Sequence, residues 1–295
     1  MTTPTRLYQP NFPLPPKDTL PTMYDLPSED PEEPGLPDDF HYYQPQLLRE
    51  TFSPPNYPVE QVYVATDLNL YYDASHLTWY KRPDWFAVLG APRLYQDFDL
   101  RMSYVIWQEE IIPTVVVEIL SEGTDKEDLG QTLREINQPP TKWEVYEQIL
   151  KIPYYIVFAR DPDQLRVFHH NGQRYQEIMP QEGKVWLPEV QLGIGIWLGH
   201  FHGLKRQWLR WYDAQQQWLP TPVEREQQQT EQERQRAEQQ QQLAQQERQR
   251  AEQQQQLVQQ ERQRAEQQQQ LAQQERQRAE RLAAQLKALG IEPEE

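Results

Sequence analysis

The hydrophobic and polar positions of this 295-residue chain fall into three regimes. In residues 1–58 the apolar residues sit between prolines, as in FPLPPKD and PSEDPEEPGLPDDF, with neither a helical nor a strand period. Proline removes a backbone donor and fixes φ, so this lead is expected to be extended and poor in regular structure. Leu14, Leu20, Tyr24, Leu26, Phe40, Tyr42 and Tyr43 are available to lie against a neighbouring surface. From 59 to 219 short apolar runs alternate with turn signals, the mark of a folded domain. VEQVYVATDLNLYYD predicts strands joined through an Asp-Leu-Asn hairpin, and RPDWFAVLG predicts a short strand closed by Gly90. SYVIWQEE leads into PTVVVEILSEG, whose run from Val115 to Leu120 reads as a strand buried on both faces. KWEVYEQILK spaces Trp143, Tyr146, Ile149 and Leu150 along one face of a short helix. IPYYIVFARDPDQL is then a strand ending in a turn, and LRVFHHNGQRYQEI a hairpin pivoting on Asn171-Gly172. LGIGIWLG and WLRWYDAQQQWLPTP supply late strands. Several strands, one helix and more strands predict a mixed α/β domain around a bent central sheet.

The third regime, 220–295, repeats AEQQQQLAQQERQR from Ala237 with a 14-residue period, or two heptads. Ala237, Ala244, Ala251, Val258, Ala265, Ala272 and Ala279 fall seven apart, with Leu243, Leu257 and Leu271 beside them. Gln, Glu, Arg and Ala all favour helix, and Gly290 and Pro293 mark its end. The partner row of each heptad is mostly Gln, Glu or Arg, which makes a narrow seam. Two states stay open: a single solvated helix, and a homodimeric or partner-bound coiled coil through 224–290.

Composition narrows the function classes. A formal net charge of −16 argues against charge-driven nucleic-acid binding over the whole surface, leaving a local basic or metal site as the way to hold a phosphate. The chain has no cysteine, which excludes disulfides and thiolate metal sites. MTTPTRLYQP lacks the charged start and apolar stretch of a secretory leader, and no apolar run approaches the roughly 20 residues of a membrane helix. A cytoplasmic location and no membrane partner are expected.

The chemistry centres on Glu118, a carboxylate inside the apolar run of residues 115–120. Burial there costs several kcal/mol unless a cation, a metal or hydrogen bonds replace the lost water. Asp84, after Pro83 at the head of the WFAVL run, is a second strand-borne acid. Two carboxylates brought together repel unless a cation lies between them. Mg²⁺ is the natural candidate because it takes hard oxygen ligands, often one or two carboxylates with waters and substrate phosphates, and Mn²⁺ is an alternative. Lys142, opening the next helix, is placed to stabilise charge developing on a phosphate or to orient the attacking water. The bland alternatives are a strand-entry role for Asp84, an ion pair of Glu118 with an arginine such as Arg101, and a solvated Lys142. His200 and His202, at i and i+2, and His169 and His170 are read as structural, and the tryptophans as packing.

PD near a strand, then Glu in a following core strand, then a lysine, resembles the PD-(D/E)XK nuclease superfamily. PSEDPEEPGLPDDFHYYQPQLLRETF, VYVATDLNLYYD, RPDWFAVLG, SYVIWQEE, VVVEILSEGTDKED, KWEVYEQILKIPYYIVF and WLRWYDAQQQWLPTP resemble successive stretches of one branch, the cyanobacterial Uma-type restriction endonucleases, over roughly residues 27 to 225. The resemblance implies a restriction-endonuclease-like mixed central sheet with flanking helices, here with a Pro-rich lead and a long C-terminal helix. It further implies Mg²⁺-dependent hydrolysis of DNA phosphodiester bonds, with Asp84 and Glu118 as metal ligands and Lys142 completing the catalytic set. The superfamily places its lysine two residues after the glutamate, where this chain has Leu120, so Lys142 would come from the following helix. An aspartate between the two matches Asp125 or Asp128, with Asp128 favoured. Ser121 is read as a turn cap or a hydrogen-bond donor near the metal. The rival from another class is a catalytically inactive nuclease fold that binds or scaffolds, assembling through its C-terminal helix.

Overall fold

The computed structural model describes residues 38–120, 128–131 and 138–288. The chain divides after Pro222 into a globular unit and a helical unit. The globular unit opens with a helix, α1 (Asp39–Thr51). Strands β1 (Val62–Thr66), β2 (Leu70–Tyr71), β3 (Tyr80–Lys81), β4 (Trp85–Leu89) and β5 (Tyr104–Val105) follow, then a short helix, α2 (Ile106–Glu109). Next come β6 (Val115–Leu120), helix α3 (Lys142–Glu144) with a wider turn over Val145–Ile149, and β7 (Tyr154–Ala159). β8 (Gln164–His170), β9 (Tyr175–Ile178), β10 (Lys184–Leu187), β11 (Leu192–Phe201) and β12 (Leu204–Tyr212) complete it.

The central sheet runs β1-β4-β6-β7-β8-β9, with β6 and β7 parallel and the other neighbours antiparallel. β4, β6 and β7 are the continuous β-branched and aromatic runs, and they occupy its middle, where both faces need apolar cover. Successive side chains alternate between those faces. Trp85, Ala87, Val115, Val117 and Ile119 join Leu47 and Leu48 of α1 and Trp208, Leu209 and Trp211 of β12 in one core layer. Phe86, Val88, Val116, Tyr155 and Val157 join Leu70, Tyr104 and Tyr146 in the other. The second layer is roofed by the small sheet β3-β2-β5 and by the α3 segment, and the first by α1 and the sheet β10-β11-β12.

Three local expectations are corrected. Residues 39–51 are not extended: Asp38 caps the helix by accepting from the His41 N–H, and Phe40, Gln44, Leu47, Leu48 and Thr51 bury along its inner face despite Pro45 inside it. The amphipathic period of HYYQPQLLRET outweighs one lost helical hydrogen bond. The Asp-Leu-Asn segment does not fold β1 back on β2. β1 pairs with β4 across the intervening chain, and β2 joins a separate sheet. Ile149 leaves the helix face and is 47 % exposed, because the turn over Val145–Ile149 closes with Leu150 N–H donating to the Val145 carbonyl. That i→i+5 spacing shifts the phase of every residue after it. The Asn171-Gly172 hairpin forms as expected, with Asn171 Oδ1 accepting from the Gln173 and Arg174 N–H groups.

The second unit is one helix, α4 (Pro222–Ala288), with no buried residue. Leu243, Leu257 and Leu271 are each 61 % exposed. Among the described residues no helix is long and apolar enough to cross a membrane.

Candidate active site

The ladder between β4 and β6 pairs Ala87 with Val115, Phe86 with Val116 and Trp85 with Val117, and stops there. The next positions opposite one another are Asp84 and Glu118, which share the face of Phe86 and Val116 by the two-residue period. The register therefore brings the two acids together. Past this point the strands splay. Ile119 N–H, which would meet the next residue of the β4 chain, donates instead to Asp84 Oδ2 at 2.6 Å. Asp84 N–H in turn approaches Glu118 Oε2 at 3.4 Å, a weaker reciprocal contact.

Glu118 is fully buried and held from the α3 side. Thr141 and Glu144 form a capping box that fixes the start of α3, with Thr141 Oγ1 accepting from Glu144 N–H and Glu144 Oε2 from Thr141 N–H. Lys142 and Tyr146 then project one turn apart onto the same carboxyl. Lys142 Nζ donates to Glu118 Oε2 at 3.0 Å, and the Tyr146 hydroxyl donates to Oε1 at 2.9 Å. Lys142 Nζ also pairs with Asp128 Oδ1 at 3.1 Å. Tyr155 OH donates to the Asp128 carbonyl, tying that residue down.

Three carboxyls thus face one ammonium in a pocket largely shut off from water. Loss of hydration, with Asp84 and Asp128 adding repulsion against the pull of Lys142, pushes the Glu118 carboxyl up to about 8. Burial raises Asp84 as well, opposed by Lys142, Ile119 N–H and His41. Burial also works against the Lys142 charge, yet Glu118, Asp128 and Asp84 together hold its ammonium well above the usual lysine value. The cluster carries more negative charge than its lysine cancels, and in the absence of another cation it retains a proton at neutral pH.

All three residues singled out in the sequence, Asp84, Glu118 and Lys142, meet here. Of the two intermediate aspartates, Asp128 is at the cluster and Asp125 lies outside the described residues, as does Ser121. Arg101 is committed elsewhere: it makes a bidentate pair with Glu109, at 2.7 and 2.9 Å, beneath the Tyr63 ring. His202 leaves β11 for a left-handed turn position, so it does not share a strand face with His200. Tyr146, Tyr155 and His41 are site residues that the sequence reading passed over. Lys142 and Tyr146, four apart at a helix start, carried a usable signal, whereas Tyr155 looked like ordinary core. Among the described residues no group of three His, Asp or Glu side chains is arranged to hold a metal ion. A metal would therefore rest on the two opposed carboxylates, Asp84 and Glu118, with water or substrate oxygens completing its shell. That donor set, hard oxygens with surplus negative charge, fits a hard divalent cation.

A mixed sheet splayed to present paired acids and a lysine is the class of site found here. The family model Uma2, described as "Putative restriction endonuclease", matches residues 14–200, more than half of the chain, and the chain belongs to that family. No curated protein matches it. Among solved structures, it is similar to a protein from Anabaena variabilis described as a "putative nuclease belonging to DUF820", at 14% identity and a TM-score of 0.28. The match covers 45% of this chain and 63% of that one, so the chain spans less than two thirds of that protein's length.

Proposed function

We propose that the chain is a divalent-metal-dependent DNA endonuclease that hydrolyses phosphodiester bonds, with Asp84 and Glu118 holding Mg²⁺ or Mn²⁺ and Lys142 as the catalytic cation. The observation that carries this reading is the charge imbalance at the splay, three carboxyls against one ammonium, in a family described by restriction endonucleases. A divalent ion there supplies Lewis-acid activation of water and neutralises phosphate charge. The chain's own residues do the rest. Tyr146 and Lys142 fix the Glu118 carboxyl, and Ile119 N–H fixes Asp84. Asp128 shares the ammonium with Glu118, so Lys142 keeps a counter-ion once Glu118 engages a metal. Lys142 carries the ammonium of this cluster, placed to donate to a phosphate oxygen as negative charge builds on it in the transition state. The acidic balance of the chain makes contact with DNA a local matter at this site.

The test is cleavage of plasmid and branched DNA with Mg²⁺ or Mn²⁺, with Glu118→Ala alongside. Cleavage by the wild type that disappears in the variant is expected; equal activity in both would remove the mechanism.

The exposed leucines and the Ala/Val row of α4 support a second, compatible role: pairing of the tail with another copy as a coiled coil. Light scattering should then give a dimer for the full chain and a monomer for Leu243→Glu/Leu257→Glu/Leu271→Glu. A wild-type monomer would end that reading.

A further inference from the structure

His41 comes from α1, on the opposite side of the sheet from Lys142, and reaches the same splay. Its ring is buried, with 3 % of the side chain exposed. Nε2 lies 3.0 Å from the Ile119 carbonyl, and Nδ1 lies 2.9 Å from Asp38 Oδ1. The N–H and C=O of one strand residue project to the same edge. Where β4 no longer pairs, the two groups of Ile119 are therefore met by two side chains: Asp84 takes the N–H and His41 takes the C=O. Neither of His41's partners can donate. A peptide carbonyl only accepts, and Asp38 is ionised, also accepting from His41 N–H and from Arg160 Nη1. Both ring nitrogens must then carry hydrogen.

We infer that His41 is a positioning residue of the carboxylate site, an imidazolium that with Asp84 replaces the missing strand and holds the backbone of Ile119 in place. Asp84 anchors the peptide unit before Ile119 through its N–H, and His41 the unit after it through its C=O. The first of these units joins Ile119 to Glu118, so an Ile119 backbone released on its far side would loosen the seat of both acids. Asp38 and Arg160 extend the brace, linking the N-terminus of α1 to the segment after β7. The account of Asp84 and Glu118 as metal ligands is assumed only for the binding arm of the test.

The experiment uses the full chain and three readouts. In ¹⁵N-histidine spectra at pH 7, the His41 ring, assigned by its loss in His41→Phe, should show two protonated nitrogens. In amide exchange, Ile119 should be protected in the wild type and in His41→Gln, whose side-chain amide can still donate to the carbonyl, but about tenfold less in His41→Phe. Mn²⁺ affinity should follow the same order, falling about tenfold or more in His41→Phe and recovering in His41→Gln. A His41 ring with one bare nitrogen, or an Ile119 amide equally protected in all three proteins, would overturn the inference. Failure of wild-type protein to bind Mn²⁺ would instead defeat the metal reading, and the first two readouts would still decide the role of His41.

Discussion

Replacing Glu118 by Gln, in metal-free protein, should flatten the pH dependence of stability. Glu118 is fully buried against Asp84 and Asp128, and its carboxyl is raised from 4.5 to about 8. The folded state therefore holds a proton there that the unfolded chain has released over the interval between those two values. Stability falls with pH wherever the folded state binds more protons than the unfolded one, so the wild type should lose stability from about pH 4.5 to 8 and level off above. One pKa unit corresponds to about 1.4 kcal/mol, which sets an upper figure of about 5 kcal/mol for the whole interval. Asp84 is raised too, and the three carboxyls share the retained proton, so the fraction tied to Glu118 should be about 2–4 kcal/mol. Gln does not titrate, and its single amide oxygen can replace only one of the two acceptor oxygens that Lys142 and Tyr146 use, a loss that is the same at every pH and leaves the slope as the readout. Urea unfolding in EDTA at intervals from pH 5 to 9 would measure the effect for both proteins. Groups outside the cluster contribute equally to both proteins and cancel in the difference, whereas Asp84 and Asp128 lose the repulsion of Glu118 in the variant, which is part of the flattening. The variant should be less stable than, or equal to, the wild type at pH 5 and gain on it by about 2–4 kcal/mol by pH 8.5. Parallel profiles would refute the claim that the cluster is over-charged.

Two further outcomes follow from the same imbalance. Binding of Mg²⁺ or Mn²⁺ at pH 7 should release about one proton as the carboxyls give up what they retained; calorimetry in buffers of differing ionisation enthalpy reads this directly, and heats independent of buffer would contradict it. Lys142→Met removes the competing ammonium and the transition-state donor together. Cleavage should fall at least about a hundredfold while Mn²⁺ affinity holds or rises, and a parallel loss of both would show that Lys142 only supports the fold.

The site was legible in the sequence where one strand's pattern carried it. Glu118 stands out because a carboxylate in a β-branched run needs a partner, and Asp84 because it heads another such run; the antiparallel register then sets them opposite each other. Lys142 was reachable through the helix that Thr141 caps. What could not be read was non-local. His41 sits in a stretch whose prolines advertise extended chain, and its partner is the Ile119 carbonyl, 78 residues away, a backbone group with no sequence signature. β2 pairs with β3 and β5 while β1 pairs with β4, partners further along the chain that no local turn signal reveals. Ile149 followed the helical period up to a wide turn that the period does not encode. The long tail was the easiest element to see, since its repeat alone predicts helix.

The central claim is that the opposed carboxyls of Asp84 and Glu118 form a divalent-cation site. Crystals of the full chain soaked in Mn²⁺, with data collected at the manganese edge, test it most directly. The account predicts an anomalous peak within ligand distance of both carboxyls, absent from Glu118→Ala crystals treated identically. A clean wild-type map at that position, with Lys142 still bridging Glu118 and Asp128 at saturating Mn²⁺, would contradict it.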